Sequence, residues 1–244
     1  MNTCIQGDSL EWMMAKSKPF ADMIIADPPF NIGLEYDSYN DDRPDDDYMH
    51  WCACWIQQCK RLLLPHGNLL ICMDDKHISD IDTMCRKSIG LNRVNWMIWH
   101  YKFGQSGVLD KRRRFTKSKT HILRFVKSKK FYFNAAAVAV PSDRQKRYND
   151  KRADPRGKCP DDVFIYKRIA GTHHERVKGI KTQMPVPLIE SWIKAMCKPR
   201  GVVFDPFPGS GASLIAAKRL GYKYLGVELS KCYTRTILNR LAKI

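Results

Sequence analysis

The segment 201–230, GVVFDPFPGSGASLIAAKRLGYKYLGVELS, constrains the fold more than any other part of the chain. It reads as a buried strand (Val202, Val203, Phe204), a glycine turn, a helix over SLIAAKRLG and a second strand running to Glu228. That pattern is one βαβ unit, which joins parallel strands of a sheet. Glycines allow a tight turn and close approach of a ligand to the backbone. An acid at the end of the second strand can accept both hydroxyls of a ribose, which points to an adenosine-containing cofactor above the strand ends. Pro208-Gly209-Ser210-Gly211 is followed by Ala212, Ser213 and Leu214, so the third glycine of a dinucleotide site is missing, as is the GK[ST] of a P-loop. Asp205 would repel a pyrophosphate. It suits a ligand bearing positive charge, such as the ammonium and sulfonium groups of S-adenosylmethionine.

The first third alternates strands and helices. DSLEWMMAK starts a helix on Asp8, and the apolar run 23–26 stops at Pro28 and Pro29, which cannot continue a central strand. NLLICM, VNWMIWHY, THILRFV and KFYFN are four further strand candidates, rich in apolar, β-branched and aromatic residues. The nine cysteines are odd in number and include no CxxC pair, which argues for reduced thiols in the cytosol. In YMHWCACWIQQCKRLLL, Trp51, Cys52, Trp55, Ile56, Cys59, Leu62 and Leu63 recur at helical spacing, so a core helix is expected there and no metal site. PVPLIESWIKAMCK reads as an amphipathic helix. Between 134 and about 179 periodicity fades, and PSDRQKRYNDKRADPRGKCPDD reads as an irregular, partly ordered insertion on a folded core.

Of the 244 residues 44% are apolar and 27% charged, an ordinary globular composition that excludes wholesale disorder. No apolar run approaches the roughly 18 residues of a spanning helix, so no membrane association is expected. Acids within the first eleven residues argue against a secretory signal and for a cytoplasmic protein. The formal net charge is +17, and residues 102–181 hold 23 Lys and Arg against 7 Asp and Glu. Charge so segregated is an electrostatic footprint for a polyanion, with a solvated basic face as the alternative.

Asp27-Pro28-Pro29-Phe30 lies at the carboxyl end of an expected buried strand, where open α/β sheets place their ligand crevice. The prolines remove two backbone donors and leave carbonyls beside the Asp27 carboxylate, backed by an aromatic ring. Such a cluster of acceptors suits the amino edge of a nucleobase; a proline-terminated strand with a capping aspartate is the plainer reading. DPPF resembles the [DNS]PP[YFW] motif of DNA amino-methyltransferases, and FDPFPGSG resembles their S-adenosylmethionine loop. The order of the two resembles the β class, in which the catalytic motif comes first and the cofactor loop last. GDSLEWM, FTKSKTHILRFVKSKKFYFN and ERVKGIKTQMPVPLIESWI extend the likeness over most of the chain outside 135–165. Met184 stands where the family often has lysine, and Phe30 where many members have tyrosine.

The resemblance implies an α/β Rossmann-like methyltransferase fold. Its sheet is mostly parallel and twisted, with helices on both faces, circularly permuted motif order and a small basic insertion. Residues 1–134 and 176–244 would form the catalytic and cofactor-binding domain, with 135–175 as a target-recognition insertion. The implied reaction moves a methyl group from S-adenosylmethionine to N6 of an adenine flipped out of double-stranded DNA. Alternatives are N4 of cytosine, an RNA substrate, or a catalytically silent nucleic-acid-binding protein of the same fold. Methylation at carbon 5 of cytosine is disfavoured, because no cysteine directly follows a proline. The implied catalytic residues are Asp27, Pro28, Pro29 and Phe30. Cofactor contacts would come from Asp8, Asp205, Pro206, Phe207, Gly209, Ser210, Gly211 and Glu228, with Thr182 and Gln183; Asp8 is equally well a plain helix cap. Lys111, Arg112, Arg113, Arg114, Arg144, Lys146, Arg147, Lys151 and Arg152 are the candidates for contact with DNA. A cognate restriction endonuclease would be a partner of a restriction-modification pair, and the enzyme would act as a monomer or homodimer.

Overall fold

A computed structural model describes residues 1–105, 115–148 and 150–244. Its eight strands are β1 (Thr3–Gln6), β2 (Ala21–Ala26), β3 (Leu63–Met73), β4 (Asn92–Gln105), β5 (Lys117–Val126), β6 (Val163–Ile165), β7 (Val202–Asp205) and β8 (Lys223–Glu228). They form one sheet in the order β1-β8-β7-β2-β3-β5-β4-β6. The run from β1 to β3 is parallel; β5 is antiparallel to both β3 and β4, and β6 returns parallel to β4. The helices are α1 (Ser9–Met14), α2 (Asp45–Leu62), α3 (Ile78–Met84), α4 (Asp143–Lys146), α5 (Val186–Met196), α6 (Ala212–Arg219) and α7 (Lys231–Ala242). None of the helices among the described residues is long and apolar enough to cross a membrane.

The alternation of side chains along a strand divides the core into two layers. Met23 and Ile25 of β2 face a cluster with α5, α6 and α7 that holds Trp192, Leu214 and Ile237. Ile24 and Ala26 face the other way, onto α1, α2 and α3 with Met13, Trp55 and Ile81. All six residues of β2 are buried, as befits a parallel strand covered on both faces. α2 buries Cys52, Trp55, Ile56, Cys59 and Leu62 along one side, the core helix that the spacing indicated.

From β2 the chain proceeds through α2 to β3 on one side, and from β7 through α6 to β8 on the other. The carboxyl ends of β2 and β7 therefore flank a topological switch point, where the connections diverge and leave a crevice. At the opposite end of the same strands, Asp22 accepts hydrogen bonds from Val202 N at 2.8 Å and pairs with His66 at 2.7 Å. This clamp ties β2, β7 and the β3 segment together below the crevice.

Two expectations differ from the fold. KFYFN is not a strand: Tyr132 N donates to His66 O (2.9 Å), Asn134 N to Ala195 O (2.8 Å), and Asn68 Nδ2 to Tyr132 O (2.9 Å). The segment instead crosses the sheet over Arg124, 3% exposed, whose guanidinium lies 5.1 and 4.6 Å from the rings of Phe131 and Phe133. Its aromatic residues cover a buried cation. The second difference is β3, which begins at Leu63, five residues before the expected start, because Ala21 pairs with Leu63 across a register shift in β2. The described residues of 135–165 form a 3-10 turn, the short α4, a Val140–Lys158 bridge and β6.

Candidate active site

β2 ends where Pro28 and Pro29 prevent further pairing, which leaves Asp27 at the floor of the crevice. No donor among the described residues hydrogen-bonds its carboxylate, and burial alone pushes its pKa to about 7. The two proline carbonyls have different fates. Tyr48 Oη of α2 donates to Pro29 O at 2.7 Å, whereas Pro28 O receives no donor from the described residues. Phe30 packs against both core layers. Asn31 follows at φ 57°, a left-handed conformation that asparagine tolerates, and turns the chain away.

The loop after β7 is built around two acids. Asp205, 3% exposed, accepts from Phe207 N at 2.8 Å and from the Ser213 hydroxyl. Glu228 at the end of β8 accepts from Gly209 N (3.0 Å) and Ser230 N (2.9 Å). Gly211 sits at φ 77° as the cap of α6, and a Cβ there would come within 3.0 Å of Ile237, so only glycine fits without displacement. Burial pushes Asp205 to about 7, with Asp27 and Glu228 adding repulsion against the hydrogen bonds that oppose it, and burial also raises Glu228.

A third segment roofs the crevice. Asp41, 2% exposed, accepts from the backbone N–H of Asn31 (2.8 Å), Ile32 (3.2 Å) and Leu34 (2.9 Å), which folds 31–41 into a compact loop. Its tip is pinned to the far side by a 2.5 Å bond from Ser230 Oγ to Asp37. Two cavities result. One is lined by Asp8, Asp27, the 205–210 loop, Glu228 and Tyr36; the other by Asp27, Pro28, Phe30, Trp99 and Tyr101. Asp27, Tyr36 and residues 181–184 line both, so Asp27 stands where the cavities adjoin.

The first cavity concentrates negative charge. Asp27, Asp205, Glu228 and Asp37 line it or lie against it, and Lys181, its one described lining cation, pairs with Glu35 at 3.1 Å. Several carboxylates held above their ordinary pKa by burial, with little compensation, fit a ligand that carries its own positive charge.

Residues 21–239 match the DNA methylase family. The chain belongs to that family. Its members act on N6 of adenine or N4 of cytosine and depend on S-adenosylmethionine. The chain is 32% identical to the Type II methyltransferase M.HpaI of Haemophilus parainfluenzae over 90% of its own length and 68% of that protein's. It is 30% identical to the DNA adenine methyltransferase YhdJ of Escherichia coli K12, over 98% of this chain and 82% of the relative. Among solved structures, M1.HpyAVI with S-adenosylmethionine superposes with a TM-score of 0.71 at 24% identity, covering 98% of each chain. The cytosine-N4-specific PvuII methyltransferase gives 0.77 at 15% identity, over 97% of this chain and 85% of that one. The likeness to the solved structures is one of fold: a Rossmann-like, mostly parallel sheet with helices on both faces.

The remaining residues singled out in this DNA methylase sequence fall in three places. Asp8 caps α1 by accepting from Glu11 N at 3.0 Å and also lines the first cavity. Thr182 and Gln183 line both cavities, but the Gln183 amide is engaged by Glu175 O (2.7 Å) and Val177 N (3.2 Å), so it braces the 175–183 segment. Arg144, Lys146, Arg147, Lys151 and Arg152 are exposed on α4 and the turn after it, away from both cavity linings, and Arg152 pairs with Asp150 at 2.9 Å. Lys111, Arg112, Arg113 and Arg114 lie outside the described residues. Tyr36, Asp37, Arg168 and Arg176 belong to the site region but carry no motif, since irregular loops offer no periodicity to read.

Proposed function

We propose that this DNA methyltransferase methylates N6 of adenine in double-stranded DNA. The observation that carries the reading is Asp27, a carboxylate that receives no hydrogen bond from the described residues, beside a Pro28 carbonyl that receives none from them either, at the junction of two cavities. In support, aspartate heads the motif where cytosine-N4 members more often carry serine, and the relative YhdJ is an adenine methyltransferase.

S-adenosylmethionine, when bound in the first cavity, supplies an electrophilic methyl on a sulfonium. Glu228 would hold its ribose, Asp8 would lie near its adenine, and the loop Asp205, Pro206, Phe207, Gly209, Ser210 and Gly211 would hold its methionine part, with Thr182 and Gln183 bracing the wall. The extruded adenine enters the second cavity and stacks on Phe30, which offsets part of the few kcal/mol that unstacking costs. Its exocyclic amine is a weak nucleophile because the lone pair is delocalised into the ring. Asp27 and the Pro28 carbonyl accept the two N–H bonds and draw the nitrogen towards tetrahedral geometry, which frees the lone pair for in-line attack on the methyl. Asp27 would take up the surplus proton of the methylated amine. No covalent enzyme intermediate arises; positioning and electrostatics carry the rate. Residues 135–175, with the basic groups at 111–114 and 144–152, would face the duplex and select the target. The enzyme would work in the cytoplasm as monomer or homodimer, alone or beside a cognate endonuclease.

Expression in a host lacking DNA methylation, with modified bases mapped across its genome and identified by mass, tests this. N6-methyladenine within one short sequence is the expected result. N4-methylcytosine would overturn the choice of base, and an unmodified genome would overturn the activity.

A further inference from the structure

The second cavity is lined by more cations than the reaction at Asp27 requires. Beside Asp27, Pro28 and Asp74, its lining carries four cations, Lys117, Arg168, Arg176 and Lys181, the last paired with Glu35. Lys117 is engaged, since its Nζ lies 2.7 and 2.6 Å from the two oxygens of Asp74. Arg168 is not: it forms no ion pair among the described residues, and its Nη1 is shielded from solvent without a hydrogen-bond acceptor. Arg176 makes one long bond, 3.4 Å from Nη1 to Lys181 O, and has no carboxylate partner among the described residues either.

Arg168 is nevertheless held in place. Tyr166 N donates to His100 O at 3.2 Å, Trp99 Nε1 donates to Tyr166 O at 2.9 Å, and Ile169 is 3% exposed. The backbone two residues before the arginine is thus tied to β4, and the residue after it is buried. A guanidinium on such a segment, lining this cavity without a carboxylate partner among the described residues, is preorganised for an anion, and its planar fork matches the oxygens of a phosphate. The occupant of this cavity must present an amino edge to Asp27 and negative charge to the arginines. A nucleotide within a strand does both.

We infer that Arg168, assisted by Arg176, receives the phosphodiester flanking the extruded nucleotide and so fixes the depth at which its base enters. This assignment rests on the methyltransferase reading above. It adds a substrate-binding residue that lies outside the α4 region, where the basic run of the sequence pointed.

The test uses wild-type enzyme and a duplex bearing its mapped target, with a neutral methylphosphonate replacing the linkage on either side of the target base. One of the two substitutions should raise KM for DNA roughly tenfold, the effect of losing one charge-assisted hydrogen-bonded contact. Arg168→Ala should show a similar loss on ordinary DNA, no additional loss on that phosphonate duplex, and unchanged calorimetric binding of S-adenosylmethionine. The slope of log affinity against log salt should fall by about one. If both phosphonates leave wild-type KM unchanged, or if the two losses multiply, the phosphate contact is refuted. Failure of the wild type to methylate the unmodified duplex would instead refute the activity, so the two readings fail separately.

Discussion

Asp27 departs from the behaviour of an ordinary aspartate because the crevice gives it burial and, among the described residues, no donor, and its pKa rises to about 7. In the proposed reaction only the ionised form can both accept an N–H bond of the target amine and take up its surplus proton. Activity measured as kcat/KM should therefore be flat above about pH 8 and fall about tenfold per unit below pH 7. Asp27→Asn keeps the shape but presents one acceptor oxygen and a competing donor. It should lose roughly a hundredfold or more in kcat, the scale of removing one preorganised polar group, with S-adenosylmethionine affinity within a few fold of wild type. At this scale DPPF and PGSG were readable, because each needs particular residue types in adjacent positions. Tyr36, Asp37 and Arg168 were not, since each acquires its meaning from a neighbour far away in the chain, as Asp37 does from Ser230.

At the scale of elements, the loop 31–41 shows how much rests on one buried side chain. The Asp41 carboxylate satisfies three backbone donors, those of Asn31, Ile32 and Leu34, and the shape it enforces carries Tyr36 and Asp37 over the crevice. In Asp41→Ala those N–H groups lose their acceptor, and the loop opens towards water instead of breaking the core. Affinity for S-adenosylmethionine should drop at least tenfold by calorimetry, while Tm changes by no more than about 4 °C, the shift that about 1 kcal/mol produces in a chain of this size. KFYFN teaches a different lesson about elements. Its aromatic content reads as strand because β-propensity reflects fitting a half-buried surface, not an intrinsic backbone preference. Over Arg124 that same surface is offered by a crossing segment without ladder pairing. The helix α2 was legible because its apolar spacing has only one geometrical solution, with Asp45, Asp46 and Asp47 in its first turn favouring that end.

For the molecule as a whole, the acids around the first cavity link folding to pH. Asp27 and Asp205 titrate near 7 when folded and near 4 when unfolded, so the folded state binds more protons between those values. The stability they contribute is complete below about pH 4 and is lost as pH rises through about 7. His77, whose pKa burial lowers, acts in the opposite sense but is a single group against two carboxylates that Glu228 reinforces. The ligand-free protein should therefore show a falling Tm between about pH 5 and 8. Saturating S-adenosylmethionine should flatten that dependence by supplying the missing positive charge, which scanning fluorimetry across pH can read. A Tm that rises over the same interval would show that these acids are solvated in the free protein.

The sequence by itself determined the parallel βαβ core, the strand that ends at DPPF, the acid at the end of β8 and the location of the basic excess. Each of these is written in adjacent residues or in a period of two or 3.6, which the backbone must obey wherever it folds. Tertiary structure alone decided that Pro29 accepts from Tyr48 at its carbonyl while that of Pro28 receives no donor from the described residues. It also placed Asp27 on the wall between two cavities, and turned Arg168 rather than the exposed arginines of α4 towards the second one. These are consequences of which distant segments meet at the switch point between β2 and β7, and pairing between remote segments leaves no local pattern in a chain.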